Sequence, residues 1–143
     1  MILPLHSEHF YADGRGPELA LLHWGYRAQI LKAAEFMLPD AVSPEDLRHV
    51  EFLRPQVVMI TPEEVIDYRK LSPYLTAHRP ASMFDLGKSD WLNSFSPRHL
   101  GQCRHFQLLF YDQLLDVIAE GVIFGSGPYK NTEPNHVTVS APR

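Results

Sequence analysis

The sequence is short of most features that announce a function. It has a single cysteine, Cys103, among 143 residues, so it forms no internal disulfide and lacks the framework of small secreted domains. It has no Asn-x-Ser/Thr glycosylation site. Uncharged stretches such as Leu19–Tyr26 and Pro55–Pro62 fall well short of the ~20 residues that span a bilayer. The opening residues Met1–Glu8 show neither a basic leader nor an apolar run, so no secretory signal is expected. Lys and Arg number 13 against 17 Asp and Glu, a net charge of −4. Such a chain has no overall basic field with which to displace phosphate counterions. Nucleic acid and membrane are therefore not expected partners, and the cytoplasm is the expected location.

What is present is enough apolar material for one packed core. Hydrophobic residues make up 45% of the chain, and its length suits a single domain over 1–143. An N-terminal arm over 1–18 and a tail over 129–143 are expected to be irregular, the arm because it has little periodicity and ends in a Gly-x-Gly-Pro turn, the tail because it is polar and follows Gly125-Ser126-Gly127-Pro128. Twelve prolines imply short elements. Eight histidines are unusual, and histidine is both the commonest metal ligand and the usual general acid or base.

Leu19–Trp24, His49–Leu53 and Gln56–Ile60 are short apolar or alternating runs that predict strands. Tyr26–Leu38 fits two periods: an amphipathic helix, favoured by its alanines, and a strand, favoured by Gly25 between two apolar runs. Ser43-Pro44-Glu45-Asp46 and Thr61-Pro62-Glu63-Glu64 each place a cap, a proline and acids in helix-start order. The second predicts a helix over 62–70. Residues 71–103 show little periodicity and read as a long connection with helical turns at Ser89-Asp90 and Ser96-Pro97. Such a segment is uncommon in a compact domain unless it carries function. Arg104–Phe124 is rich in aromatic and β-branched residues, which favours a C-terminal hairpin turning near Asp112-Gln113 over a helix. The expected fold is α+β: an antiparallel or mixed sheet with one or two packed helices and that hairpin at its centre.

Several groupings have chemistry within reach. His99, Cys103 and His105 offer imidazole and thiolate, the ligands zinc prefers, but their spacing matches no zinc finger. The same residues allow a thiolate nucleophile beside an imidazole base, oriented by an acid such as Asp112, Asp85 or Asp90. Asp112, Asp116 and Glu120 lie at spacings that share a face on either a helix or a strand; a solvated face explains them equally well. Arg79, Lys88, Arg98 and Arg104 outnumber Asp85 and Asp90 within 78–105, where Trp91, Phe95, His99 and His105 are interleaved. Basic groups hold anions and aromatics wall a pocket. His23-Trp24-Gly25-Tyr26 reads as core packing, and the two bare Gly-x-Gly stretches as turns.

The resulting expectation is a non-catalytic domain that binds a small anionic or aromatic molecule or a protein partner, and forms a homodimer in one version. Its binding residues are Arg79, Lys88, Trp91, Phe95, Arg98, Arg104 and His105, with no cofactor or metal. The alternative is a hydrolase or transferase centred on His99, Cys103, His105 and Asp112, metal-dependent in one form.

Overall fold

The computed structural model describes residues 3–4, 17–25, 29–37, 43, 46–66, 83–130 and 137–140. These build ten strands in two antiparallel sheets. Sheet A runs β1 (Leu3–Pro4), β6 (Met83–Gly87), β7 (Arg104–Leu109), β8 (Gln113–Ala119) and β5 (Val57–Pro62). Sheet B runs β10 (Val137–Ser140), β2 (Glu18–Gly25), β3 (Ile30–Met37), β4 (Arg48–Leu53) and β9 (Gly121–Ser126).

The expected α+β fold is therefore wrong, and so are its packed helices. The longest α-helix among the described residues is α1, Asp90–Asn93. No helix there is long and apolar enough to cross a membrane. Three local corrections account for the change. The ambiguous 26–38 segment is strand over Ile30–Met37, because β2 and β4 flank it and satisfy its backbone on both sides. The helix expected over 62–70 is a single 3-10 turn, Glu63–Val65, and Ile66 is already extended; positions 67–70 lie outside the described residues. Thr61, the expected cap, is instead a ladder residue opposite Leu114. Of the C-terminal stretch expected to be irregular, Val137–Ser140 pairs with β2 as β10.

The β7–β8 hairpin holds as expected, turning at Tyr111 and Asp112 with Phe110 N–H on Gln113 O at 2.8 Å. It lies inside sheet A, between β6 and β5. The run expected as one strand to Phe124 breaks at Glu120, where the chain leaves sheet A and enters sheet B as β9. Glu120 N–H bonds Leu53 O at 2.8 Å and its carboxylate meets Arg54 at 3.2 Å.

Alternation along each strand sends one face inward. Leu22, Phe36, Val50 and Phe52 of sheet B meet Met83, Phe106, Leu108, Leu115 and Val117 of sheet A in one buried cluster. Across that gap the Phe36 and Phe110 rings sit 5.9 Å apart, centroid to centroid. Each such side chain contributes about 1.5–3 kcal/mol on leaving water. The outer face of sheet A is also partly covered. Residues 88–103 cross over it and bury Leu92, Leu100 and Cys103 against Ile118, with Val57 and Trp91 alongside.

Candidate functional site

The crossover between β6 and β7 carries most of the expected site residues. Asp85 begins it: its carboxylate accepts from Gly87 N–H at 2.9 Å, and Gly87 takes φ +64°, a conformation that costs glycine little. The ladder slips by one residue here, which lifts the chain off the sheet. Ser89 then caps α1, its Oγ accepting from Leu92 N–H at 3.2 Å.

Lys88 closes the crossover. Its ammonium donates to the carbonyls of Leu100, Gly101 and Cys103 at 3.3, 2.9 and 2.6 Å. An ammonium has three protons, so all its donors are spent holding the two ends together. Between them opens a cleft of about 390 Å³, lined by Lys88, Leu92, Asn93, Phe95, Pro97, Leu100 and Gly101. Trp91 stands between this cleft and the sheet, edge-on to Phe95 at 5.5 Å and over the His105 ring at 4.8 Å.

Beneath Trp91 lies a line of three polar groups. His105 Nε2 is 2.6 Å from Asp116 Oδ1, and His105 Nδ1 is 2.7 Å from Ser89 Oγ. A carboxylate only accepts, so His105 Nε2 donates to Asp116, while Nδ1 and the Ser89 hydroxyl share the second hydrogen bond. Gln107 Nε2 also donates to Asp116 at 3.1 Å. Both His105 and Asp116 are buried.

The expected residues thus divide. Lys88 and Phe95 line the cleft, while Trp91 packs against Phe95 and its ring lies tilted on that of His105. Arg98 is exposed beside Pro97. Arg104 is held at the sheet, its Nε donating to both Asp85 oxygens at 2.9 and 2.7 Å. Arg79 lies outside the described residues.

The thiol arrangement is not assembled. Cys103 is buried, and its Sγ–H points to His99 O at 3.8 Å. Burial first, and then the Glu120 charge, push its pKa up, against lowering by Lys88 and Arg54. A thiol shifted this way is a poor nucleophile. The His99 backbone takes φ +68° in an exposed turn. Asp112 sits in the turn at the far end of β7, ~20 Å along the strand from His105. Among the described residues, no group of three or more His, Cys, Asp or Glu side chains is placed to hold a metal.

Sheet B has its own polar cluster, which the sequence reading missed. His23 Nε2 bonds Glu35, both side chains 6% exposed. The Tyr129 ring sits 5.2 Å from His23 and 5.7 Å from His49, and its hydroxyl donates to Glu51 at 3.0 Å. His49 lies across Gly125, where a side chain would collide with its ring, and its Nδ1 meets Gly127 O at 2.9 Å. The signal in the sequence was an isolated ionisable residue inside an apolar run, His23 in β2 and Glu35 in β3.

No protein family, no curated protein and no solved structure matches the chain.

Proposed function

We propose that the protein is a non-catalytic binding domain of the cytoplasm, and that the crossover cleft takes a small molecule with an aromatic ring and one anionic group. The observation that carries this reading is the cleft itself. Its volume falls within the range of small-ligand sites, and its lining is mostly apolar with a few polar groups. Phe95 is 37% exposed, leaving part of its side chain open to a ligand. Lys88 adds positive charge, though its protons are already committed, so it would attract an anion without donating to it. The cytoplasmic placement rests on cysteine usage, a single residue with no disulfide framework.

The test is a titration with benzoate, indole carboxylates and salicylate, followed by nitrogen–proton correlation spectra. Saturable shifts centred on the Trp91 indole N–H, Phe95 and Gly101 are expected, weakened roughly tenfold by Phe95→Ala. Absence of saturation at millimolar ligand, or shifts that ignore Phe95→Ala, would overturn the reading.

One observation favours a hydrolase instead: hydroxyl, imidazole and carboxylate stand in a line at Ser89, His105 and Asp116, the order used for acyl transfer. Against it, the Ser89 oxygen already caps α1 and the imidazole lies under Trp91. We read the line as a strut fixing the crossover to the sheet. Covalent labelling of Ser89 by a fluorophosphonate probe would reverse that choice.

A further inference from the structure

We propose that the open edge of β5 pairs with β5 of a second copy, antiparallel about a two-fold axis at Met59, making one continuous ten-stranded sheet from two copies of sheet A. This surface is separate from the crossover cleft, so either proposal can fail alone.

The phase of the ladder decides which amides are free. Phe110 N–H on Gln113 O makes those two residues a hydrogen-bonded pair. Alternation along the hairpin then turns Leu114, Asp116 and Ile118 toward β5, where they face Thr61, Met59 and Val57. Glu63 N–H on Asp112 O, at 2.9 Å, continues the same phase. The backbone groups of Val58 and Ile60 therefore point away from sheet A, with no partner strand beyond them among the described residues. Pro62, which has no N–H, takes the next outward position, where proline is tolerated.

Natural sheets guard such an edge with lysine, proline, bulges or very short strands; here the prolines, Pro55 and Pro62, stand only at the two ends and leave Val57–Thr61 between them unguarded. From Pro55 to Pro62 there is no charged residue, and Met59 and Ile60 are 43% and 36% exposed. β9, one of the two edges of sheet B, carries Gly121 and Gly125 within its span, which weakens it as a template.

Charge at the two ends selects the occupant. Arg54 precedes β5 with its side chain 77% exposed and its Nε on Glu120, which leaves its terminal guanidinium nitrogens to a second acid, and exposed Glu63 and Glu64 follow it. Pairing Val58 of one copy with Ile60 of the other gives four main-chain hydrogen bonds. The same register brings Arg54 of each copy to the Glu63–Glu64 end of the other, with no like charges opposed along the strand.

Sedimentation of the full chain across the micromolar range tests this. A reversible monomer–dimer equilibrium is expected, with the Val58 and Ile60 amides exchanging more slowly as concentration rises. Met59→Lys sets two cations face to face on the axis at an exposed position the monomer tolerates, and should weaken dimerisation at least roughly tenfold. Arg54→Glu and Glu64→Arg should each weaken it, and the two together should restore it. A monomer at every concentration would overturn the proposal. So would a dimer indifferent to Met59→Lys, or losses that add in the charge-reversed pair.

Discussion

His105 and Asp116 are bonded partners on neighbouring strands, yet they are not opposite each other. Across β7 and β8, His105 faces Ile118 and Asp116 faces Gln107, so the imidazole reaches diagonally to its carboxylate at 2.6 Å. His23 and Glu35 repeat the arrangement on sheet B, where His23 faces Ala33 and Leu21 faces Glu35. Each sheet thus carries one buried imidazole tied to an acid two residues along the adjacent strand.

The line through His105 should behave as one unit. Asp116→Ala strands both the buried imidazole and the Gln107 amide, and should cost about 2–3 kcal/mol. Ser89→Ala removes the α1 cap and the Nδ1 partner together, at about 1–2 kcal/mol. Because the two changes share His105, their combined cost should fall short of the sum. Urea unfolding of the two variants and the double variant measures that coupling; strict additivity would show the groups to be independent.

Lys88→Met keeps the aliphatic stem and removes the ammonium, leaving three carbonyls without their donor. A loss of about 1–3 kcal/mol is expected, together with faster amide exchange confined to 88–103. Exchange that speeds up equally in β2 and β3 would mean that Lys88 supports the whole sandwich and not just the crossover.

Cys103 should resist thiol reagents in the native protein, labelling only as fast as the crossover opens. Its thiol pKa is raised by burial, so the folded state holds the proton after the unfolded chain has released it. Below the ordinary thiol range this group adds no pH dependence. Above that range stability should fall with rising pH, until the folded-state thiol ionises as well. Cys103→Ala should flatten that part of the profile; immediate stoichiometric labelling of native protein would contradict the burial.

Gly125→Ala should be costly for a surface strand, because the added methyl meets the His49 ring. The imidazole must move off Gly127 O, and a loss of about 1–3 kcal/mol is expected. Combining it with His49→Ala should recover most of that loss in thermal unfolding.

Part of sheet B and the hairpin was legible as short apolar runs. His49–Leu53 alternates and buries Val50 and Phe52, whereas Leu19–Trp24 and the stretch from Arg104 were legible from apolar, aromatic and β-branched content. The helix expected at 62–70 rested on a cap, a proline and two acids, all of which also suit the end of an edge strand. The break at Glu120 was hidden because β8 and β9 are both apolar, and only the partner strand tells which sheet each joins. Composition did mark 78–105 as the segment to examine. It could not reveal Ser89 or Asp116 as partners of His105, because strand register, not sequence spacing, brings them together. His99, Cys103 and His105 are close in sequence, but the Cys103 thiol points to His99 O while the His105 nitrogens are taken by Ser89 and Asp116.

The step at Glu120 bears on how the molecule comes apart. One residue joins β8, inside sheet A, to β9, at the rim of sheet B, with no slack for the sheets to separate. Glu120 is fastened to Leu53 and Arg54 at the same point. Peeling β9 from sheet B therefore pulls on the middle of sheet A, and melting sheet A frees an edge of sheet B. Denaturation should then be all-or-none, with both sheets lost in a single transition.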